Sequence, residues 1–231
     1  MDDKKVTEAF DLLRQGQAQE GMNLLKTEFL KNPDDWRIHY HTGLAWRLLG
    51  DLDKAIFSYN RAIQLCPDNE MNFYGLGIAY QLKGDFDNAI DSLRKAYELN
   101  KNSVQVLNSL GLTYKKKGDI NKALEIYEHA AQTLMGNIFE ELKQSGNEPL
   151  NDVSTADNKK VAMINMDVFN LVPGKLKQDN LYCTLQNNIG VCYATLGKDD
   201  EARKAFNEAI QFTPDGMDYQ APILGLRELD S

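Results

Sequence analysis

Between residues 36 and 69 apolar and polar positions alternate with a helical period twice over, on either side of Leu49, Gly50 and Asp51. The same two-helix pattern returns at 70–103, with helices predicted near 70–83 and 86–99, and again at 104–137. Ahead of them, a helix over about 4–15 carries Val6, Ala9, Phe10, Leu12 and Leu13 on one broad face, and its partner runs over about 18–31. Three of the turns hold a Gly-Asp pair: Gly50 with Asp51, Gly84 with Asp85 and Gly118 with Asp119. Glycine supplies the left-handed residue that ends one helix and aspartate caps the next. The pattern changes after the fourth pair. Leu134, Ile138 and Leu142 extend an i, i+4 stripe, so that helix is predicted to overrun to about Gln144. An insertion over about 145–178 follows, rich in Asn, Asp, Ser and Thr and broken by Pro149 and by Pro173 with Gly174. Within it, residues 161–172 are too apolar for a free linker. They are expected either to pack on the overrunning helix or to lie in the protein's own groove. A helix resumes at about 179, and Ile223, Leu226 and Leu229 are spaced to cover the final pair from a helix over about 218–229.

Numbering from Trp36 as position 1 puts Gly43 at 8, Trp46 at 11, Ala55 at 20, Tyr59 at 24, Ala62 at 27 and Pro67 at 32. Counting from Glu70 gives Gly77, Tyr80, Ala89, Leu93 and Ala96, and from Val104 it gives Gly111, Tyr114, Ala123, Tyr127 and Ala130. A degenerate copy from Asp2 holds Ala9, Leu12, Gly21, Leu25 and Pro33, and a copy from Cys183 holds Gly190, Tyr193, Ala202, Phe206, Ala209 and Pro214. Small residues at 8 and 20 let two antiparallel helices approach, and large ones at 11 and 24 fill the space around them. This signature resembles the tetratricopeptide repeat. The resemblance implies an all-α fold, an α-solenoid of helical hairpins wound as a right-handed superhelix. It implies one solenoid over 1–231, with repeats at about 2–35, 36–69, 70–103, 104–137 and 183–216.

Net charge is −8 with acids and bases interleaved, which disfavours nucleic acid and anionic membrane as partners. The opening MDDKKVTEAF has no signal-peptide core and no stretch reaches membrane-spanning length, so a cytoplasmic protein is expected. Cys66, Cys183 and Cys192 show no paired spacing and read as reduced packing residues. His39, His41 and His129 are too scattered for a catalytic arrangement. No phosphate loop, nucleophile elbow or clustered ligand set accompanies them. The expectation is a chain that is not an enzyme and takes no cofactor or metal.

Function then falls to the surface. In repeats of this kind, the resemblance implies that positions 2, 5, 9, 12 and 13 of each first helix line a concave face. Those positions hold Arg37, Tyr40, Leu44, Arg47 and Leu48, then Met71, Tyr74, Ile78, Gln81 and Leu82. They continue with Gln105, Asn108, Leu112, Lys115 and Lys116, and with Thr184, Asn187, Val191, Ala194 and Thr195. Tyrosine and arginine are common binding anchors, and asparagine can hold an extended backbone through paired contacts. The candidate peptide-binding set is therefore Arg37, Tyr40, Leu44, Arg47, Tyr74, Ile78, Gln81, Asn108, Leu112, Lys115 and Asn187, with Arg47, Lys115 and Lys116 suited to acidic ligands. Leu44, Ile78, Leu112 and Val191 share one repeat position and can equally serve packing. Chaperone-binding relatives grip a terminal carboxylate with Lys, Asn and Arg at positions 5 and 9. Tyr40, Leu44, Ile78, Asn108 and Leu112 stand there, so no such clamp is expected. The expected role is a protein- or peptide-binding scaffold or adaptor. The alternatives are a scaffold that self-associates, as a homo-oligomer, through the 138–178 region, or a regulatory subunit of a larger complex.

Overall fold

The computed structural model describes residues 3–144, 176 and 180–230. The readings of the 145–178 insertion and of residues 161–172 therefore lie outside the described residues, as does the side chain of Leu142. Among the described residues the chain is all α-helix, a solenoid of helical hairpins, and it divides into two compact units, Met1–Lys101 and Asn102–Ser231.

The first unit holds α1 (Asp3–Arg14), α2 (Ala18–Phe29), α3 (Trp36–Leu48), α4 (Leu52–Leu65), α5 (Glu70–Lys83) and α6 (Phe86–Leu99). Each odd-numbered helix pairs with the next as an antiparallel hairpin, and α3 and α5 each also pack on both helices of the hairpin before. The second unit holds α7 (Val104–Lys117), α8 (Ile120–Gln144), α9 (Leu181–Thr195), α10 (Asp199–Gln211) and α11 (Ala221–Leu229). There α7 pairs with α8 and α9 with α10. The overrun of α8 ends at Gln144, and α9 packs directly on α8 although 36 residues separate them in sequence (145–180). Stacking thus resumes on the far side of the insertion.

Local chemistry sets the helix ends. Gly84 and Gly118 stand at φ 83° and 92°, a conformation that strains any residue with a Cβ, and each closes the helix before it. The aspartates behind the Gly-Asp glycines cap the following helices: Asp51, Asp85 and Asp119 accept from the backbone N–H of Lys54, Asn88 and Lys122. Asp35 and Asn69 do the same for α3 and α5. The second helix of the first hairpin ends at Phe29 rather than 31, because Lys31 N–H turns back to the Glu28 carbonyl at 3.0 Å. After α4 the proline stops the helix, and Asn72 on α5 braces its end. Its buried amide donates to the carbonyls of Ala62 (3.2 Å) and Cys66 (3.0 Å).

The hairpins close through one recurring contact. A Cβ added at Gly43 would meet the Tyr59 ring at 2.9 Å, at Gly111 the Tyr127 ring at 2.8 Å, and at Gly190 the Phe206 ring at 2.6 Å. The residue at position 24 thus lies against the bare backbone of position 8, and these three rings are fully buried. Gly75, on the next hairpin, meets Tyr59 as well, at 2.5 Å, so a single ring ties α3, α4 and α5 together. The first hairpin inverts the arrangement: Ala9 stands at position 8, and the glycine is Gly21 on α2, against Leu13 at 2.8 Å. At the far end, α11 packs on both α9 and α10, and Gly225 meets Phe206 at 2.5 Å. That helix occupies the place a further hairpin's first helix would take.

Candidate functional site

The first helices of the hairpins in each unit carry the candidate residues, and the structure sorts them by what they already touch. In the first unit Arg37 is committed. Its Nε and Nη2 donate to the two Asp35 oxygens at 3.0 and 2.7 Å, in the two-point geometry that suits guanidinium and carboxylate. Burial alone would raise the Asp35 carboxyl, but hydrogen bonds from Arg37 and its charge outweigh that and leave it below its usual value. Tyr40 is 9% exposed and its ring lies 5.7 Å from that of Tyr59, so it offers little surface. Burial pushes both phenols up, Tyr40 strongly. Gln81 is buried too. Leu44 is half-buried against the core of the first hairpin.

Arg47, Tyr74 and Ile78 keep part of their surface. The Arg47 guanidinium lies near the phenols of Tyr40 and Tyr59, and Tyr74 is close to the same pair. Its Nε is shut off from solvent and has no hydrogen-bond partner. On α3 and α5 the exposed large apolar side chains are Leu48, Met71 and Leu82, at 45–50%, while Leu30 and Phe57 elsewhere in the unit are more exposed still, at 82% and 75%. The three on α3 and α5 stand at repeat positions 2 and 13, which the resemblance assigns to the concave face.

Beside this face, His41 is packed between Phe10 (ring centroids 4.9 Å apart) and Tyr40 (5.1 Å). Its Nδ1 is buried without a partner. Burial first, and then the charge of Arg37, push its pKa down to about 4.

In the second unit the polar positions form a small network between α7 and α9. Lys115 Nζ donates to Asn188 Oδ1 at 3.3 Å, and Asn188 Nδ2 reaches Asn108 Oδ1 at 3.5 Å. Sequence spacing singled out Asn187, yet Asn188 makes the link, while Asn187 Oδ1 is buried with no partner. Leu112 is half-buried. Tyr193 donates to Glu128 at 2.6 Å, a bond that, with burial, pushes its phenol up to about 12. Cys183 and Cys192 are buried thiols raised by that burial, and all three cysteines are free.

Among the described residues no group of three or more His, Cys, Asp or Glu is placed to hold a metal ion. Among them, too, no helix is long and apolar enough to cross a membrane.

Three family profiles match the chain. One, described as TPR repeat, covers residues 43–84, and two described as Tetratricopeptide repeat cover 69–134 and 183–215. No curated protein matches. Solved structures share the fold at low identity. A crystal structure of MamA is 20% identical, covering 88% of this chain and 93% of that one at a TM-score of 0.61. MamA from Desulfovibrio magneticus RS-1 is 15% identical over 91% of this chain and 93% of its own, at 0.62. YrrB, described as a TPR protein with an unusual peptide-binding site, is 15% identical over 98% and 91%, at 0.60. With the Gly-to-ring contact repeated in three hairpins and three repeat profiles matching, the chain belongs to the tetratricopeptide repeat family.

Proposed function

We propose that this chain is a non-catalytic scaffold or adaptor whose first helices dock a segment of another protein, outside the membrane and in the cytoplasm. The observation that carries the reading is the exposure of Leu48, Met71 and Leu82 beside half-buried Tyr74 and Ile78 on α3 and α5. Large apolar side chains left uncovered on a packed array are a common mark of an interface. The likeness to YrrB, a protein described by its peptide-binding site, supports a peptide as the ligand class. Of the eleven residues singled out by sequence, the reading keeps Arg47, Tyr74 and Ile78 as contacts in the first unit, and Asn108, Leu112, Lys115 and Asn187 in the second. It assigns Arg37, Tyr40, Leu44 and Gln81 to the wall behind the site. No step of chemistry is asked of any of them.

The test replaces Leu48 and Leu82 together with serine, and Tyr74 separately with alanine, and measures capture of purified native partners. Both variants should keep the helical signal and lose binding at least about tenfold, since one well-packed anchor is worth 1.4 kcal/mol or more. Unchanged capture in both would end the reading.

A further inference from the structure

The chain holds 34 acidic residues, yet its first helices from the second hairpin onward are almost free of them. Helices α3, α5, α7 and α9 contain Arg37, Arg47, Lys83, Lys115, Lys116 and Lys117 and a single acid, Glu70. The second helices carry the acid instead: α6 holds Asp87, Asp91 and Glu98, and α10 holds Asp199, Asp200, Glu201 and Glu208. A net negative protein thus keeps its negative charge off the helices that bear the candidate site.

Within the first unit, most of the charge on α3 and α5 is already matched. Arg37 is held by Asp35 at 2.7 Å and Lys83 by Asp53 at 2.6 Å, while Glu70 accepts from Asn100 at 2.6 Å. Arg47 is the exception. Among the described residues no carboxylate lies within ion-pair distance of it, its surroundings are tyrosine, with Tyr59 its hydrogen-bond partner, and its Nε has no partner. A guanidinium partly withdrawn from water with no counter-charge is costly, and a carboxylate supplied from outside would recover a charge-assisted bond in a weakly screened setting. The adjacent residue, Leu48, is exposed, and Leu82 stands at the same position of the next hairpin. Those two favour apolar side chains on either side of the acid.

We infer that the first unit binds an acidic peptide segment whose Asp or Glu carboxylate pairs with Arg47 while flanking apolar side chains rest on Leu48 and Leu82. This rests on the docking reading above and adds the charge of the ligand to it.

The test uses the whole chain and three fluorescein-labelled peptides of about 12 residues, a length that at ~3.3 Å per residue crosses both hairpins. One alternates leucine with glutamate, and the others carry glutamine or lysine in place of each glutamate. Fluorescence anisotropy should show the glutamate peptide binding about tenfold or more tightly than the glutamine one. Arg47→Gln should abolish that difference by weakening the glutamate peptide alone, and Arg47→Lys should retain part of it. Leu48→Glu places a carboxylate at an exposed neighbouring position, so it tests the same point without disturbing the core; it should also erase the preference. Equal binding of the glutamate and glutamine peptides, or tighter binding of the lysine one, overturns the inference. So does a glutamate preference that survives both Arg47→Gln and Leu48→Glu. If the glutamine peptide binds as well and Tyr74→Ala weakens it, docking stands and the acidic preference falls. If none of the three binds, both fall together.

Discussion

Gly75 and Gly136 both sit inside helices, and replacing each with alanine should move stability in opposite directions. In a helix interior, alanine is more favourable than glycine by about 1 kcal/mol. At Gly136 on α8 nothing lies within 4 Å of the added Cβ, so Gly136→Ala should keep most of that gain. At Gly75 the Cβ would stand 2.5 Å from Cε1 of Tyr59, about 1 Å short of carbon–carbon contact. The same ring edge already lies against Gly43, and Tyr59 is 1% exposed, so the ring has no open space to move into. Overpacking of this kind costs about 1–3 kcal/mol. Set against the propensity gain, that leaves Gly75→Ala neutral at best and about 2 kcal/mol destabilising at worst.

Trp36 and Trp46, the only tryptophans in the sequence, both lie in the first unit, so tryptophan fluorescence in urea reports the unit that holds Gly75. Far-ultraviolet circular dichroism serves for Gly136→Ala. The decisive step is a double-mutant cycle. In a Tyr59→Leu background the obstructing ring is gone, so Gly75→Ala should turn favourable, with a coupling energy of about 1–3 kcal/mol. If Gly75→Ala raises the urea midpoint as Gly136→Ala does, or lowers it equally with and without Tyr59, the ring is not what holds these hairpins in register.

Three further outcomes follow from the same contacts. His41 has a folded pKa of about 4 against an ordinary 6.5, so between those values the unfolded chain binds the extra proton. Stability of the first unit should be full above pH 6.5 and fall as pH drops toward 4. The loss comes to about 2 kcal/mol from pH 7 to 5, and His41→Phe should flatten it by tryptophan fluorescence. Asp35, also lowered, contributes stability that is lost only as pH falls below its usual value, under most of that window. Asn72→Ala should cost about 1–3 kcal/mol in the same assay, because the Cys66 carbonyl loses its side-chain donor and the Ala62 carbonyl keeps only the Cys66 N–H. Phe206→Leu should loosen both α9 and α11, since Gly190 and Gly225 close on that ring, and hydrogen exchange should rise in the two helices together.

The features legible in the sequence are those fixed by one residue or one spacing. A glycine at positive φ and an aspartate at the next helix start each act within a turn, so the Gly-Asp pairs marked their turns from composition alone. The contact between positions 8 and 24 joins two helices of one hairpin and repeats with them, so the spacing carried it as well. What stands free is a different kind of question, because it depends on the neighbouring hairpin. Tyr40 and Tyr74 share position 5, yet Tyr40 is closed off by Tyr59 and His41 while Tyr74 is half-open. Arg47, Gln81 and Lys115 share position 12, and only Gln81 is buried. Arg37 and Arg47 look alike as inner-face cations, but a single residue ahead of α3, Asp35, takes the first and leaves the second. Asn188 stands at a position the frame does not single out, and Gly225 lies beyond the last repeat. Each is placed by stacking between hairpins, α9 on α7 and α8, which precede the insertion, and α11 on the last hairpin. A repeat frame therefore names candidate positions, and the pairing of each side chain across hairpins decides which of them have anything left to offer a ligand.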